Sequence, residues 1–204
     1  MSLEYIKLAT SKDKTRFNLN QVYRDLNKIV ATDGHRMHWI NGQEEIAKGF
    51  YLDGQDHGPF PDYSQVFPKA DPASLLSVVL TTDFVKKAKA MLKLIQCYTG
   101  KEAPIRLNCF HEVVENKPTM TVFELAFTDS KNLAKFSIQH KTSEDALTGP
   151  AFTTMLNLSY LIDAIELPIK DNYISAINLK YYERMQPVLI ETRLGNALIM
   201  PMKD

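Results

Sequence analysis

With 204 residues, 45% of them apolar and 24% charged, the chain can bury a sizeable core in one large domain or two small ones. Its 24 basic and 24 acidic side chains cancel, which argues against strong, sequence-independent binding to phosphates over the whole surface. No run approaches the roughly 18 consecutive apolar residues that cross a bilayer, and no basic segment followed by an apolar one opens the sequence. We therefore expect a cytoplasmic protein whose contacts with nucleic acid are local.

Neither cysteine is expected to carry chemistry. Cys97 and Cys109 occur in an otherwise ordinary composition, so we expect both to be reduced thiols in the core. The sequence has no Cys-x-x-Cys pair, no spaced array of cysteine and histidine, and no glycine-rich phosphate loop. We therefore predict no metal ion and no other cofactor.

The first 72 residues are predicted to form a small sheet followed by a linker. Segments with strand-like alternation and no capped helical stripe are residues 4–10, 16–26, 27–33 and 35–42. Residues 49–72 contain four of the ten prolines and three of the eight glycines, so we expect an extended connector there.

From residue 73 onward the sequence predicts the same order of secondary-structure elements twice. The β-rich run 74–80 leads into a helix capped by Thr82 or Asp83. The apolar residues of this helix recur at helical spacing: Val85, Ala88, Met91, Leu92 and Ile95. A second β-rich run, residues 151–157, leads into a second helix.

The second helix is predicted to begin with Asn157 or Ser159 as its cap and to end at Pro168, because proline cannot continue a helix. Its apolar stripe consists of Leu161, Ile162 and Ile165.

Each helix is followed by segments that predict three antiparallel strands. These segments are residues 104–114, 119–127 and 133–141 after the first helix, and 173–182, 187–193 and 197–202 after the second. Leu194-Gly195-Asn196 predicts the hairpin turn between the last two strands. One β-α-β-β-β unit alone leaves a sheet face and a helix stripe uncovered. We therefore expect the two units to pack around a shared core as one α+β domain, residues 73–204.

Three strings resemble, in this order, segments of the bacterial sliding clamp, the beta subunit of the replicative DNA polymerase: "IVATDGHRM", "FPDYSQVFPK" and "ALIMPM". The resemblance implies a complete DNA-clamp domain over residues 73–204, preceded by a partial, mostly β clamp-like domain and linker over residues 1–72. In that family, two chains of three domains close a ring around DNA, with helices facing the hole. We expect the first domain and both strand-helix segments of the middle domain to be missing here, which leaves the oligomeric state open.

The resemblance also implies one groove, built from the turn, the linker and the final strand, that binds short apolar peptides of DNA polymerases and repair enzymes. The positions that match this groove are Leu19, Thr32, Gly34, His35, Arg36, Met37, Pro61, Val66, Leu198, Met200, Pro201 and Met202.

The residue types suit such a groove. Gly34 allows a backbone geometry that a Cβ would resist, so the chain can reverse there. Methionines can repack around different partner side chains, and prolines stiffen the walls and lower the ordering cost of binding. We expect Arg36 to pair with a polar or acidic ligand group at the rim. The alternative is that Met200-Pro201-Met202 only covers the core and that Asp33-Gly34 is only a hairpin turn.

The first helix carries a cationic strip opposite its apolar stripe. Lys86, Lys89 and Lys93 recur at helical spacing, with Lys87 beside them. The resemblance implies that this strip faces the phosphates of double-stranded DNA without reading the bases. The alternative is a solvated lysine face, since the second helix carries acidic residues instead.

Enzymatic interpretations have weaker support. Asp62, Glu115 and Lys117 mimic the acidic and lysine pattern of some metal-dependent nucleases, but a hairpin turn is expected around Glu115. His35 and His38 could bind a metal only if both pointed the same way, and their spacing in a strand sends them to opposite faces.

We therefore predict no catalysis. The leading hypothesis is a sliding-clamp-like processivity factor for DNA replication or repair that binds partner peptides and encircles DNA as a homo-oligomer. The alternatives are a peptide-binding modulator of a host clamp that forms no ring, and a small nuclease.

Overall fold

A computed structural model describes residues 2–25, 28–42, 50–100, 102–115, 118–129, 134–170 and 176–203. Within them the helices are α1 (Ser2–Lys7), α2 (Thr82–Thr99) and α3 (Leu158–Lys170). The strands are β1 (Tyr23–Asp25), β2 (Lys28–Thr32), β3 (Arg36–Asn41), β4 (Phe50–Tyr51), β5 (Ser74–Val78), β6 (Pro104–Glu112), β7 (Met120–Thr128), β8 (Lys135–Ser143), β9 (Leu147–Thr148), β10 (Phe152–Asn157), β11 (Ile177–Tyr181), β12 (Val188–Thr192) and β13 (Gly195–Ile199). No described helix combines the length and apolar character that a membrane span requires.

The repeated β-α-β-β-β plan is confirmed. The first unit consists of β5, α2 and the meander β6-β7-β8, and the second of β10, α3 and the meander β11-β12-β13. Each meander takes its fourth strand from the other unit, because β10 pairs with β6 and β5 pairs with β11. The two units share a core because neither completes its sheet without the other.

Both long helices bury the stripes that their sequences predict, but their ends differ slightly. α2 is capped by Thr81, one residue before the predicted cap, because the Thr81 hydroxyl accepts a hydrogen bond from the Phe84 amide (3.2 Å). α3 follows Asn157 as predicted, and the Asn157 side chain accepts a hydrogen bond from the Ser159 amide (3.0 Å). The prediction that Pro168 ends α3 was wrong by two residues, since the helix runs on to Lys170 before it stops.

The strand-like interpretation of residues 4–10 was wrong, because they begin within α1. Tyr5, Ile6 and Ala9 are all fully buried in the main core. Their spacing places them on one face of a helix, and a helix this short is stable only through such tertiary packing. The expected absence of both strand-helix segments of the middle domain stays a prediction.

The last hairpin turns one residue earlier than predicted. Thr192 pairs with Gly195, so the turn consists of Arg193 and Leu194, and Gly195 is the first residue of β13. A Cβ at Gly195 would lie 2.7 Å from the side chain of Ile40 and 2.8 Å from the carbonyl oxygen of Trp39. Glycine is therefore needed where β13 and β3 approach each other closely.

The strands form two antiparallel sheets. The large sheet has the order β4-β1-β2-β3-β13-β12-β11-β5-β9, and the small sheet has the order β10-β6-β7-β8. The pairing of β3 with β13 carries the large sheet without a break from the first 72 residues into the repeated part. The boundary between residues 72 and 73 remains a prediction.

The central strands of the large sheet are buried on both faces. On one face, Ala31, Ala197 and Ile199 join the main core with the stripes of α2 and α3. On the other face lies a separate apolar group, which we call the second cluster: Val30, Met37, Trp39, Tyr182, Leu189 and Leu198. Burial on both faces explains the consecutive apolar residues of β12 and β13.

A buried aromatic pair holds α1 against β3. The rings of Tyr5 and His38 stack with their centroids 4.6 Å apart, and His38 Nδ1 lies 2.9 Å from the Tyr5 carbonyl oxygen. Both side chains are fully buried. Desolvation disfavours the imidazolium and lowers the pKa of His38 to about 4, although the Tyr5 carbonyl acts in the opposite direction.

Replacing His38 with phenylalanine should make the free energy of unfolding less dependent on pH below about 6.5. Unfolded His38 binds a proton below about pH 6.5, whereas folded His38 stays neutral down to about pH 4. In the wild type, His38 should therefore lower the free energy of unfolding by up to about 3 kcal/mol as pH drops from about 6.5 to 4, and this contribution should be absent in His38→Phe. Urea unfolding across this range measures the slope. The variant His111→Asn, at an exposed position, should keep the wild-type slope, and an unchanged slope in His38→Phe would refute the assignment.

Candidate peptide-binding groove

The turn between β2 and β3 is fixed by its own side chains. The Thr32 hydroxyl donates to the Arg36 carbonyl oxygen (2.6 Å) and accepts from the Gly34 amide (3.1 Å). Asp33 accepts hydrogen bonds from the amides of His35 (2.9 Å) and Arg36 (3.1 Å). Gly34 has a φ of 94°, a backbone conformation that is strained in any residue with a side chain. The chain reverses at Asp33-Gly34 as the sequence predicts.

The final strand lies directly beside this turn. Leu198 of β13 is paired with Met37 of β3 in the sheet register. Just beyond β13, the Met200 amide donates to the carbonyl oxygen of His35 (2.9 Å). The turn and the final strand, two of the three predicted segments, are therefore in contact through the backbone.

Residues 200–203, which we call the tail, cross from the large sheet to the small one. After the bond from Met200 to the turn, the amide of Met202 donates to the carbonyl oxygen of Met155 in β10 (2.9 Å). Pro201, which has no backbone N–H to donate, lies between these two hydrogen-bonded amides. The tail is thus held at Met200 and Met202, while the side chains of Met200, Pro201 and Met202 remain half-buried.

The linker supplies the third wall. Partly buried side chains that pack against the second cluster are Tyr23, Phe60, Tyr63, Phe67 and Met200. The ring of Phe67 meets Trp39 edge-on with centroids 5.1 Å apart. The Tyr63 hydroxyl donates to the Asp25 carboxylate (2.6 Å), and burial together with this carboxylate raises the pKa of Tyr63 well above its usual value. Linker, turn and tail therefore meet at one apolar cluster.

The predicted groove residues divide into a floor and an outer layer. Met37 and Leu198 are 2% and 1% exposed, so they form the floor with Thr32. The exposed positions are Gly34, His35, Pro61 and Val66, and the half-buried ones are Met200, Pro201 and Met202. We use "the groove" for this set of buried and outer residues, and its use as a binding surface remains a prediction.

Leu19 stands apart from this arrangement. It ends a short 3-10 turn at Phe17–Leu19 and is buried. Its carbonyl oxygen accepts a hydrogen bond from the Ser11 amide (2.8 Å). No described contact joins the Leu19 side chain to the second cluster, so its assignment to the groove remains a prediction.

Arg36 does not stand at the rim as expected. Its side chain is only 5% exposed, and its Nε donates to Asp33 (3.1 Å). Its two terminal nitrogens donate to the Asp163 carboxylate on α3 and to the Leu8 carbonyl oxygen (2.5 Å). The guanidinium also lies over the Tyr160 ring, 4.4 Å from its centroid. The donors of Arg36 hold the turn against α1 and α3 and are not directed at a ligand.

Sequence reasoning missed the residues that support the groove from behind. Asp163 and Tyr160 were considered only as parts of a helix, and their contact with Arg36 spans more than a hundred residues. The aromatic residues of the linker offered a local signal, because Phe60, Tyr63 and Phe67 recur within a stretch otherwise rich in polar and proline residues.

The cationic strip is only partly available. All three predicted lysines are exposed on α2. Lys89 forms an ion pair with Glu166 on α3 (2.7 Å), and the neighbouring Lys87 forms one with Asp83 (2.8 Å). Lys86 and Lys93 have no carboxylate within ion-pair distance in the part of the chain that the structure describes. Both alternatives for the strip, phosphate contact and a solvated face, therefore remain predictions.

The residues of the nuclease alternative have structural surroundings of their own. Asp62 caps the 3-10 turn Tyr63–Val66, where it accepts hydrogen bonds from the Ser64 amide (3.1 Å) and the Gln65 side chain (3.0 Å). Glu115 is exposed, and Lys117 lies outside the described residues.

The two cysteines differ in environment. Cys109 is buried as predicted, and desolvation raises its pKa to about 12. The prediction of a core position for Cys97 was wrong, because this residue lies on the exposed side of α2. Both are free thiols.

Replacing Arg36 with methionine should destabilise the fold by roughly 2–4 kcal/mol, because it leaves the carboxylates of Asp33 and Asp163 without their partner. Urea unfolding at neutral pH measures the loss. Lys93→Met, at an exposed position of α2, is the control and should cost less than about 0.5 kcal/mol. A loss for Arg36→Met no larger than for the control would show that the guanidinium is not structural.

Comparison with known proteins relates this architecture to one group of solved structures. No protein-family model matches the chain, and neither does any curated protein sequence. The DNA polymerase III beta subunit of Thermotoga maritima matches at 18% identity and a TM-score of 0.66, over 100% of this chain and 62% of that one. The beta subunit of Borrelia burgdorferi, solved in complex with a natural product, matches at 17% identity and a TM-score of 0.69, over 99% and 61%.

A third match is the C. crescentus beta sliding clamp, solved with polyethylene glycol at a candidate β-motif tethering region. It is 17% identical, with a TM-score of 0.57, over 100% of this chain and 64% of that one. The chain thus spans somewhat under two thirds of the length of these proteins. The α+β architecture with its repeated units is therefore the fold of the bacterial DNA polymerase III beta subunit, the sliding clamp.

Proposed function

We propose that this protein is a non-catalytic, sliding-clamp-like factor in the cytoplasm that binds short apolar segments of DNA polymerases or repair enzymes at the groove. The observation that carries the proposal is the convergence of turn, linker and tail on the second cluster. In the C. crescentus clamp, polyethylene glycol lies at a candidate β-motif tethering region. An apolar surface that accepts extended ligands is consistent with the same use here.

The groove has the physical properties that such binding requires. Its floor of Met37 and Leu198 is rigid, because both lie in paired strands with almost no exposure. Its outer layer contains two half-buried methionines, Met200 and Met202, which can adapt to leucine or phenylalanine anchors. A rigid floor lowers the ordering cost of binding, and adaptable walls permit several partners.

A route to assembly lies at the other end of the molecule. The nine-residue strand β8 is the last strand of the small sheet, and no described strand pairs with its outer edge. Beside it, a cavity of about 600 Å³ is lined by Leu94, Phe136 and Ile138, among others. Leu94 is 47% exposed. Unpaired edges of this length tend to recruit another strand, so we propose that the next chain of a ring joins here.

Truncating the tail methionines should weaken peptide binding. Met200→Ala and Met202→Ala each remove apolar contact area, which should lower the affinity for a fluorescent peptide with a glutamine and a leucine-phenylalanine pair about 5- to 30-fold. Fluorescence polarisation measures the change. Val113→Ala, at a position 78% exposed and distant in sequence, should bind like wild type. Equal affinities for the wild type and all three variants would show that the peptide does not bind at the groove.

Disrupting the β8 edge should dissociate the assembly. Leu94→Asp places a charge in the proposed contact, so its sedimentation velocity profile should show monomer at concentrations where wild type is oligomeric. Wild type should also be retained on nicked circular DNA and released when the circle is cut. A monomeric wild type without retention would overturn the ring, and peptide binding by that monomer would favour the modulator of a host clamp.

A further inference from the structure

A cavity of about 370 Å³ lies between the linker and the turn that joins β11 to β12. Residues between positions 65 and 73 line one wall, and residues between 182 and 186 line the other. No residue of the tail lines this cavity. Its volume falls in the range of sites that hold a small ligand.

The side chain of Tyr182 is the buried polar group of the cavity wall. It is only 9% exposed, because its ring packs in the second cluster. Its hydroxyl makes no hydrogen bond with any residue that the structure describes. Burial of a polar group without a partner is costly and uncommon in folded proteins. The Tyr182 hydroxyl is therefore available to a ligand in the cavity.

The Tyr182 hydroxyl is a hydrogen-bond donor at neutral pH. Burial raises the pKa of Tyr182, Lys180 opposes this effect, and the carboxylates of Glu191 and Asp71 raise the pKa further. The phenol therefore keeps its proton and can donate it to an anionic group such as a carboxylate.

Three charged side chains line the same cavity. Lys69 and Asp71 belong to the linker, and Glu183 belongs to the turn. All three are exposed, and none forms an ion pair within the described part of the chain. The cavity thus presents a carboxylate on each wall and one ammonium group. The complementary ligand carries two positive groups and one negative group.

A metal ion is the less favoured cation for this cavity. Only two carboxylates line it, and no set of three metal-ligating side chains occurs among the described residues. The remaining lining surface is largely apolar, with Pro68, Ala70, Ala73 and the ring of Phe67. A methylene chain packs well on such a surface while its charged ends stay near polar groups. An organic cation therefore matches more of the cavity than a metal ion does.

The turn that carries Tyr182 and Glu183 is strained. Met185 has a φ of 74°, the only positive φ of a non-glycine residue in the part of the chain that is described. The turn is closed by a hydrogen bond from the Gln186 amide to the Glu183 carbonyl oxygen (3.1 Å). Backbone strain of this kind concentrates at ligand sites. The strain therefore coincides with the wall that supplies the phenol and one of the carboxylates.

We propose that this cavity binds a free basic amino acid, of which lysine is the simplest example. The carboxylate of the ligand accepts a hydrogen bond from Tyr182 and pairs with Lys69. Its two ammonium groups pair with Asp71 and Glu183, and its methylene chain lies on the apolar surface between them. The inference goes beyond the proposed function, because it requires neither peptide binding at the groove nor assembly into a ring.

The test titrates the full chain with three ligands in isothermal titration calorimetry at low salt. These are lysine, cadaverine, which lacks the carboxylate, and norleucine, which lacks the side-chain ammonium group. Lysine should bind at least about fivefold more tightly than either analogue, because each analogue leaves one charged group of the cavity unmatched. In a chain labelled at its alanine methyl groups, lysine should shift the NMR signals of Ala70 and Ala73 and leave Ala126 in β7 unchanged.

Single substitutions separate the roles of the lining residues. Tyr182→Phe removes only the hydroxyl and keeps the ring in the second cluster, so it should weaken lysine at least about threefold and leave cadaverine unaffected. Glu183→Gln should weaken both ligands by a similar factor. The matched control Glu115→Gln, at an exposed position of the turn between β6 and β7, should change neither affinity.

Equal affinity for lysine and cadaverine would assign the cavity to polyamines and overturn the inference. Equal affinity for lysine and norleucine, no binding of lysine, or unchanged lysine binding in Tyr182→Phe would overturn it as well. Peptide binding at the groove is measured with a different ligand and with the Met200 and Met202 variants. Failure of one proposal therefore leaves the other standing.

Discussion

The pairing of β13 with β3 is the constraint on which the rest of the structure depends. It joins the first 72 residues to the repeated part as one sheet and places Leu198 opposite Met37. Close approach of the two strands requires Gly195, where any Cβ would meet the neighbouring backbone. Because this register is fixed on both faces by apolar packing, a slip of one residue would exchange the floor of the groove with the main core. Groove geometry and fold stability are therefore set by the same contacts.

Arg36 extends this constraint from the sheet to the helices. Through Asp163 it connects the groove turn to α3. The turn cannot shift without disturbing a buried guanidinium, which is costly in a low-dielectric interior. Such an anchor suits a surface that binds several partners, because the floor stays the same while the exposed methionines adjust.

The sequence predicted the repeated units well, because they depend on local signals, whereas the assignment of the three segments to a groove stays a prediction. Periodicity located both long helices and the strands of the two repeated units but not the short strand β9, and turn chemistry at Asp33-Gly34 located the reversal. Sequence-based prediction failed where tertiary packing determines the local structure. Tyr5, Ile6 and Ala9 form a helix only because the core receives them, and Arg36 turns inward because Asp163 and Tyr160, distant in sequence, are there to receive it. No local pattern could have shown that the tail would bridge two sheets.

Methionine-methyl NMR of the groove tests the central claim most directly. In a chain labelled at its methionine methyl groups, titration with the glutamine-containing peptide should shift the signals of Met37, Met200 and Met202 in a saturable manner. Met91 in the main core and Met120 in β7 should stay unchanged, which provides an internal control. Saturable shifts confined to Met91 or Met120, or no shift at any of the five, would contradict a groove formed by turn, linker and tail.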